Sequence, residues 1–268
     1  MKKTAGILIL LTIILGFIAY PTINNNLWSV ASIKGSQGIS STNELITTLP
    51  ASHPHARLLQ ARAAMSEQDY PQALQLIEPL VPTTDPVILQ TYAELLFSLE
   101  RYTDALEIWH SLGMHNKIEH AARVFNKLGL LDYEILAWEK AYDIRPDIFW
   151  SLLLYTQMRK ANQLRDTGQI SESIPLYEAI IQKFPTSETP LAELAWAYLL
   201  QGETKLAVST LEKAIPISSS NYQFYMRAGD IYEQCGLFDH ALAAYQKARQ
   251  IFPDAMDATK AIDRLQNP

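Results

Sequence analysis

The chain has 268 residues, 48% of them hydrophobic and 19% charged, the balance of a packed globular body rather than a disordered chain. Its 28 acidic against 22 basic side chains give a net charge of −6, and two of the basic ones, Lys2 and Lys3, stand in an otherwise uncharged start. That charge excludes general nucleic-acid binding, which neutralises phosphates with Lys and Arg, and the single cysteine, Cys235, excludes an intramolecular disulfide and a cysteine-only metal site.

The first predicted element is the apolar run from Thr4 to Tyr20, stopped by Pro21. As a helix rising about 1.5 Å per residue it reaches roughly 25 Å, the lower edge of a bilayer span, and it exceeds the apolar centre of a cleavable signal peptide, about 7–15 residues. The nearest small-x-small site, Ser29-Val30-Ala31, lies well beyond the run. The expectation is a signal-anchor helix over 1–20 that meets the lipid bilayer through residues 4–20. Lys2 and Lys3 would stay on the cytoplasmic side and the rest would lie outside the cytoplasmic membrane of a bacterial-type cell. The alternative is a protein secreted after cleavage near Ala31. Residues 21–41, rich in Asn, Ser and Gly, read as a flexible tether of roughly 25 Å reach.

From about residue 54, apolar and small residues recur at helical spacing in paired segments. Ala61, Ala64, Tyr70, Ala73 and Ile77 mark a first unit near 54–87, and Ala93, Leu96, Tyr102, Ala105 and Trp109 a second near 86–114, cut short at "HSLGMHNK". Ala122, Phe125, Gly129, Trp138, Ala141 and Pro146 mark a third near 115–148. Extra residues precede the fourth, near 154–187, so the helix after Asp147 is predicted to begin early and run through "IFWSLLLYTQMRKANQLR". The fourth unit shows Ala161, Leu164, Gly168, Ser173, Tyr177 and Pro185; the fifth, near 188–221, shows Leu191, Ala195, Tyr198, Gly202, Ala207 and Leu211. In the sixth, near 222–255, Tyr225, Ala228, Gly229 and Tyr232 form one stripe, Gly236 breaks the helix, and Phe238 is predicted to plug the turn. Ala241, Tyr245 and Ala248 follow before Pro253, and a polar capping helix is predicted over 257–266. Asp85-Pro86 and Thr189-Pro190 each predict a capping side chain just before a first-turn proline.

Three ladders advance together by 34 residues: Gly168, Gly202 and Gly236; Ala161, Ala195 and Gly229; Tyr177, Leu211 and Tyr245. A period near 34 with two helices per unit is the mark of an α-solenoid, whose helix pairs bury their apolar faces only on one another. The alternation of large and small residues resembles the tetratricopeptide repeat family, with Tyr225 in the slot of that family's Trp and Tyr245 in the slot of its Phe. The expected fold is therefore all-α: an α-solenoid of about six helix-turn-helix repeats over 42–268 with a C-terminal capping helix, preceded by one N-terminal transmembrane or signal helix.

No Gly-rich phosphate loop, His-Glu-x-x-His helix, Gly-x-Ser-x-Gly elbow or Cys-x-x-Cys occurs in the sequence, and no catalytic residue, cofactor or metal is expected. His110, His115 and His120 recur every five residues, about 140° apart on a helix, so they cannot share a face to hold a metal. The resemblance implies a groove lined by the first helices: Arg62, Glu94, Arg123, Asn126, Lys127, Met158, Asn162, Arg165, Trp196, Leu199, Met226 and Asp230. Arg123, Lys127 and Arg165 are expected to meet carboxylates of a bound peptide, and Met158, Trp196 and Leu199 an apolar side chain. The implied function is a non-enzymatic scaffold that binds a protein or peptide partner and assists assembly of an envelope or membrane complex. The alternative is an accessory or regulatory domain of a membrane-bound glycan-polymerising or transferase system.

Overall fold

The computed structural model describes residues 53–267, Ser219 excepted. The expected anchor and tether lie outside the described residues, and among those described no helix is long and apolar enough to cross a membrane. Among the described residues thirteen α-helices follow one another, and there is no strand. The chain divides into two compact units after Ile108.

The first unit holds α1 (Pro54–Ser66), α2 (Tyr70–Ile77), a 3-10 turn (Glu78–Leu80), α3 (Pro86–Ser98) and the start of α4 (Tyr102–Ser111). Its helices start where a side chain takes up a first-turn amide that has no partner inside the helix. His53 Nδ1 accepts from the His55 amide at 3.2 Å, Asp69 from Gln72 at 3.1 Å and Asp85 from Val87 at 2.8 Å, each just ahead of a proline. Leu58, Ala61 and Ala64 of α1 close on Ala73 and Ile77 of α2 and on Ile88 and Leu95 of α3.

The second unit runs from the end of α4 through α5 (His115–Leu128), α6 (Leu131–Ile144), α7 (Pro146–Asp166), α8 (Ile170–Lys183), α9 (Glu188–Leu200), α10 (Thr204–Ala214), α11 (Tyr222–Gln234), α12 (Phe238–Ile251) and α13 (Met256–Gln266). Helices α5 and α6, α7 and α8, α9 and α10, and α11 and α12 pack as pairs, and α13 lies on α12. Leu211, Tyr232, Tyr245 and Ile262 share one core with Ala195 and Ala228, and the partly buried Cys235 packs against it as a small apolar group. Gly229 is what lets α11 and α12 approach: a Cβ there would stand 2.3 Å from the Tyr245 ring.

One turn joins the two helices of every pair. Gln68, Glu100, Gly129, Gly168, Gly202 and Gly236 all take left-handed angles, φ from 61° to 84°. The amide after each donates to the carbonyl five residues back: Asp69 to Ala64, Arg101 to Leu96, Leu130 to Phe125, Gln169 to Leu164, Glu203 to Tyr198 and Leu237 to Tyr232, all at 2.8–2.9 Å. This is the Schellman closure, which satisfies a helix's last carbonyls and brings the residue after the left-handed one onto the preceding turn. That geometry corrects the expectation for Phe238. Leu237 takes the inward place against the core, while Phe238 starts α12 with 59% of its surface exposed.

A second correction concerns Thr189. Helix α9 begins at Glu188 with Ser187 in the cap position, so Thr189 and Pro190 lie inside its first turn. Proline is tolerated there because first-turn amides have no carbonyl to meet. Helix α7 starts early, as predicted, and runs 21 residues, whereas α9 and α11 have 13 each. The excess stands ahead of the position at which a regular unit would begin.

Candidate peptide-binding groove

The first helix of each pair spends one stripe on its neighbours and turns another, only partly exposed, toward the groove. On α7 that stripe carries Tyr155, Met158, Arg159 and Asn162; 34 residues later α9 sets Thr189, Ala192, Glu193 and Trp196 in the same places, and α11 sets Gln223, Met226, Arg227 and Asp230. Between α7 and α9 the stripe opens into a cleft of about 400 Å³, lined by Ser151, Leu154, Tyr155, Met158, Arg159, Asn162, Thr189 and Glu193. A second hollow, of about 530 Å³, lies against Trp196, Asp230, Glu233, Gln234, Phe238 and Arg264.

The charges of this surface are answered from within. Glu193 pairs with Arg165 of α7 and, at 3.4 Å, with Arg227 of α11, so one carboxylate ties three successive first helices together. Arg165, its side chain 7% exposed, also meets Asp166 at 2.9 Å and donates to the Tyr177 hydroxyl at 3.2 Å, which in turn donates to Asn162 Oδ1 at 2.7 Å. Burial is the largest single influence on Arg165 and opposes its charge, but Glu193, Tyr177 and Asp166 together outweigh it and hold the guanidinium above its ordinary pKa. Burial pushes the Tyr177 hydroxyl well up, so it stays a neutral donor. The Arg227 guanidinium lies over the Trp196 ring, 4.9 Å from its centroid.

The α6–α7 side has a comparable knot. Buried Glu134 pairs with Arg159, accepts from Asn126 Nδ2 at 3.0 and 3.1 Å, and accepts from the Thr156 hydroxyl at 3.4 Å. A buried carboxylate with that many donors is a strut, because removing any one partner leaves charge without solvent.

The expected site residues thus separate. Met158 and Asn162 line the cleft, Trp196 lines the second hollow, and Leu199 and Met226 are half-buried against the last core. Arg165 sits beneath the surface in its ion pairs. Arg123 is exposed and bridges Glu119 one turn away at 2.6 Å; Asn126 is spent on Glu134; Lys127 is exposed; all three lie on α5, outside both hollows. Asp230 accepts from the Tyr245 hydroxyl at 2.8 Å. In the first unit, Arg62 donates to Thr91 Oγ1 at 2.7 and 3.1 Å, and Glu94 accepts from Gln90 at 3.0 Å. The described residues include no cluster of three or more metal-ligating side chains.

Sequence reasoning read the run "IFWSLLLY", which ends at Tyr155, mainly as core and as a docking start only second, and it missed Thr189 and the Arg159, Glu193, Arg227 series as site residues. The last advances by 34 like the three ladders that were found, so its signal was present. Glu134 had no such signal, since it lies on a second helix of an irregular unit.

Two family models described as tetratricopeptide repeat match residues 158–222 and 222–254. A comparison with curated proteins finds no match. Among solved structures the chain is similar to the MamA protein at 21% identity, over 56% of this chain and 80% of that one, with a TM-score of 0.42. It is similar to the first TPR of Spaghetti (RPAP3) bound to the HSP90 peptide SRMEEVD at 19% identity, over 42% of this chain and 92% of that one, with a TM-score of 0.39. A tetratricopeptide repeat protein from Parabacteroides merdae aligns over 91% of this chain and 98% of its own at 16% identity and a TM-score of 0.39. TM-scores this low carry no argument about function. The two adjoining family matches, on paired helices closed by one recurring turn, show that the chain carries tetratricopeptide repeats over residues 158–254.

Proposed function

We propose that this protein is a non-catalytic scaffold that holds a segment of a protein partner in the groove of α7, α9 and α11. By this reading the apolar run at residues 4–20 anchors it in the cytoplasmic membrane, its helical body stands outside, and it assists assembly of an envelope or membrane complex. The observation that supports the docking role is the cleft between α7 and α9. Leu154, Tyr155 and Thr189 open there, over the buried Met158, on a surface whose own charges are already matched. Repeat stacking does not require those side chains, and a preformed groove loses little entropy on binding.

The test is a photoreactive residue placed at 196 or 162 in the full chain, in the cells that make it. A discrete partner crosslinked at both positions is expected, and the same probe at exposed Lys247 of α12 should capture none of it. Absence of any crosslink at 196 and 162 rejects the groove. For the anchor, intact mass of the membrane-fraction protein is expected to show the whole N-terminus retained; loss of about the first 31 residues, the cut near Ala31, means secretion instead.

A further inference from the structure

We propose that the early start of α7 is a docking lip, and that it and the adjoining cleft hold a protein segment presenting apolar side chains and no charge. The proposal rests on the reading that the groove binds a protein segment, and names the chemistry of that segment. Regular first helices here need 13 residues to stack; α7 has 21, and the excess is apolar on nearly every side. One side is explained by packing. Phe149 is 2% exposed, its ring centroid 5.8 Å from that of Trp138 and 6.1 Å from that of His115, and Leu153 is buried one turn on. The other sides are not: Ile148 is 46% exposed, Trp150 49%, Leu152 37% and Tyr155 64%.

These residues flank the cleft on two faces of α7, with Ser151 between them. Ile148, Leu152 and Tyr155 share one helix face, and Trp150 and Leu154, one turn apart, share another about 140° round the helix. Tyr155 and Leu154, with Ser151 between the two faces, line the cleft itself. A lip made for water would carry charge, and a lip made for stacking would carry the alanines and glycines of the other units. This one carries the large apolar and aromatic side chains that anchor interfaces.

The charges decide what lies on it. At the lip's start Arg145 and Asp147 pair at 2.9 Å; inside the cleft Arg159 is tied to Glu134 and Glu193 to Arg165 and Arg227. The Arg145–Asp147 pair is solvent-exposed, but in the cleft a ligand charge would have to unseat a pair of Glu134 or Glu193, whose side chains are only 5% and 14% exposed, and leave a largely buried carboxylate without its counter-charge. An uncharged segment displaces none of them. The Ser151 and Thr189 hydroxyls at the cleft then meet peptide groups, while the lip takes alternate apolar side chains.

A photoreactive residue at position 150 of the full chain tests this in the cells that make it, followed by sequencing of the crosslinked peptide. The expected capture is a partner segment with at least two large apolar residues and no Asp, Glu, Lys or Arg at the contact. Synthesised and labelled, that segment should bind the full chain with a Kd that Trp150→Ser and Tyr155→Ser each weaken about tenfold or more, as loss of an aromatic anchor does. Both side chains are exposed, so Tm should stay within about 2 °C of the parent, the scale of an ordinary surface change. The Kd should change less than about twofold between 0.05 and 0.5 M salt, because no ion pair forms. A lipid adduct, a second copy of this chain, a charged segment whose binding collapses with salt, or no adduct at 150 each overturns the proposal. If 196 captures a partner and 150 does not, the lip is refuted and the docking role stands; if neither does, both are refuted.

Discussion

The turn at Gly202 and the turn at Gln68 are the same structure made from different chemistry. Each holds a left-handed residue, φ 83° in one and 62° in the other, and each closes with an amide donating to the carbonyl five residues back. Glycine adopts that angle freely, whereas a residue with a Cβ does so at a cost of about 1–2 kcal/mol. The second unit uses glycine at every turn of its pairs; the first uses Gln68 and Glu100. The comparison teaches that stacking imposes the turn and glycine only eases it. The recurring turn also reaches further than the family matches, which begin at residue 158, whereas the turn begins with the Ala64 carbonyl.

The strongest way to break the regular half is at Gly229. The Tyr245 ring that a Cβ would strike cannot swing aside, because its hydroxyl is held by Asp230 at 2.8 Å and Glu233 at 3.0 Å. Gly229→Leu is expected to destabilise the second unit by about 3 kcal/mol or more, and Gly229→Ala by less with the same sign, measured by denaturant melts of helical circular dichroism. A Gly229→Leu variant as stable as the parent would show that α11 and α12 do not meet in this register.

Arg165 separates a strut from a ligand contact. Its guanidinium is paired with Glu193, which keeps Arg227 as a second partner when Arg165 is removed. Arg165→Met should therefore fall near the lower end of the range for breaking a buried pair, about 3 kcal/mol in the same melts. A variant that leaves stability unchanged and abolishes partner binding would restore Arg165 to the groove surface, as the sequence reading expected.

That contrast shows what was legible in the sequence. Helical periodicity and the 34-residue ladders report the contacts each helix makes with its neighbours in the chain, so the paired helices, the glycine turns and the early start of α7 could be read. Pairs between repeats leave no mark in a single helix. Arg165 looked outward on its own helix because nothing in its neighbourhood announces Glu193, 28 residues on. The Phe238 error has the same root: Leu237 and Phe238 are adjacent apolar residues, and only the turn's hydrogen bond decides which one faces the core. Of the site, Met158, Asn162 and Trp196 were readable from the repeat register, whereas the exposure of Trp150 and Tyr155 follows from what the other helices leave uncovered on α7, which periodicity does not report.

A smaller effect tests the irregular half. Gln68→Gly and Glu100→Gly should each stabilise the first unit by about 1 kcal/mol, the left-handed penalty less the extra unfolded-state entropy of glycine. Gly202→Ala should cost a similar amount in the second unit, where a Cβ meets no atom within 4 Å and backbone strain alone acts. If the first two variants are neutral or worse, Gln68 and Glu100 are kept by side-chain contacts and not merely tolerated.

The smallest expected effect belongs to the entrance of α1 and has no counterpart in the glycine turns. Burial lowers the pKa of His55 from its ordinary 6.5; Asp85, 3.7 Å away, opposes the shift, and His53 and Arg62 reinforce it. The folded state therefore binds a proton at His55 less readily than the unfolded state does. Stability from this group is intact above pH 6.5 and declines as the pH falls from there through the depressed folded value. The parent should lose stability across that window, and His55→Gln, which cannot charge, should lose less, so the two curves of Tm against pH converge on acidification. Parallel curves would mean that Asp85 compensates fully for the burial, and that the imidazole is as free to charge in the folded chain as in the unfolded one.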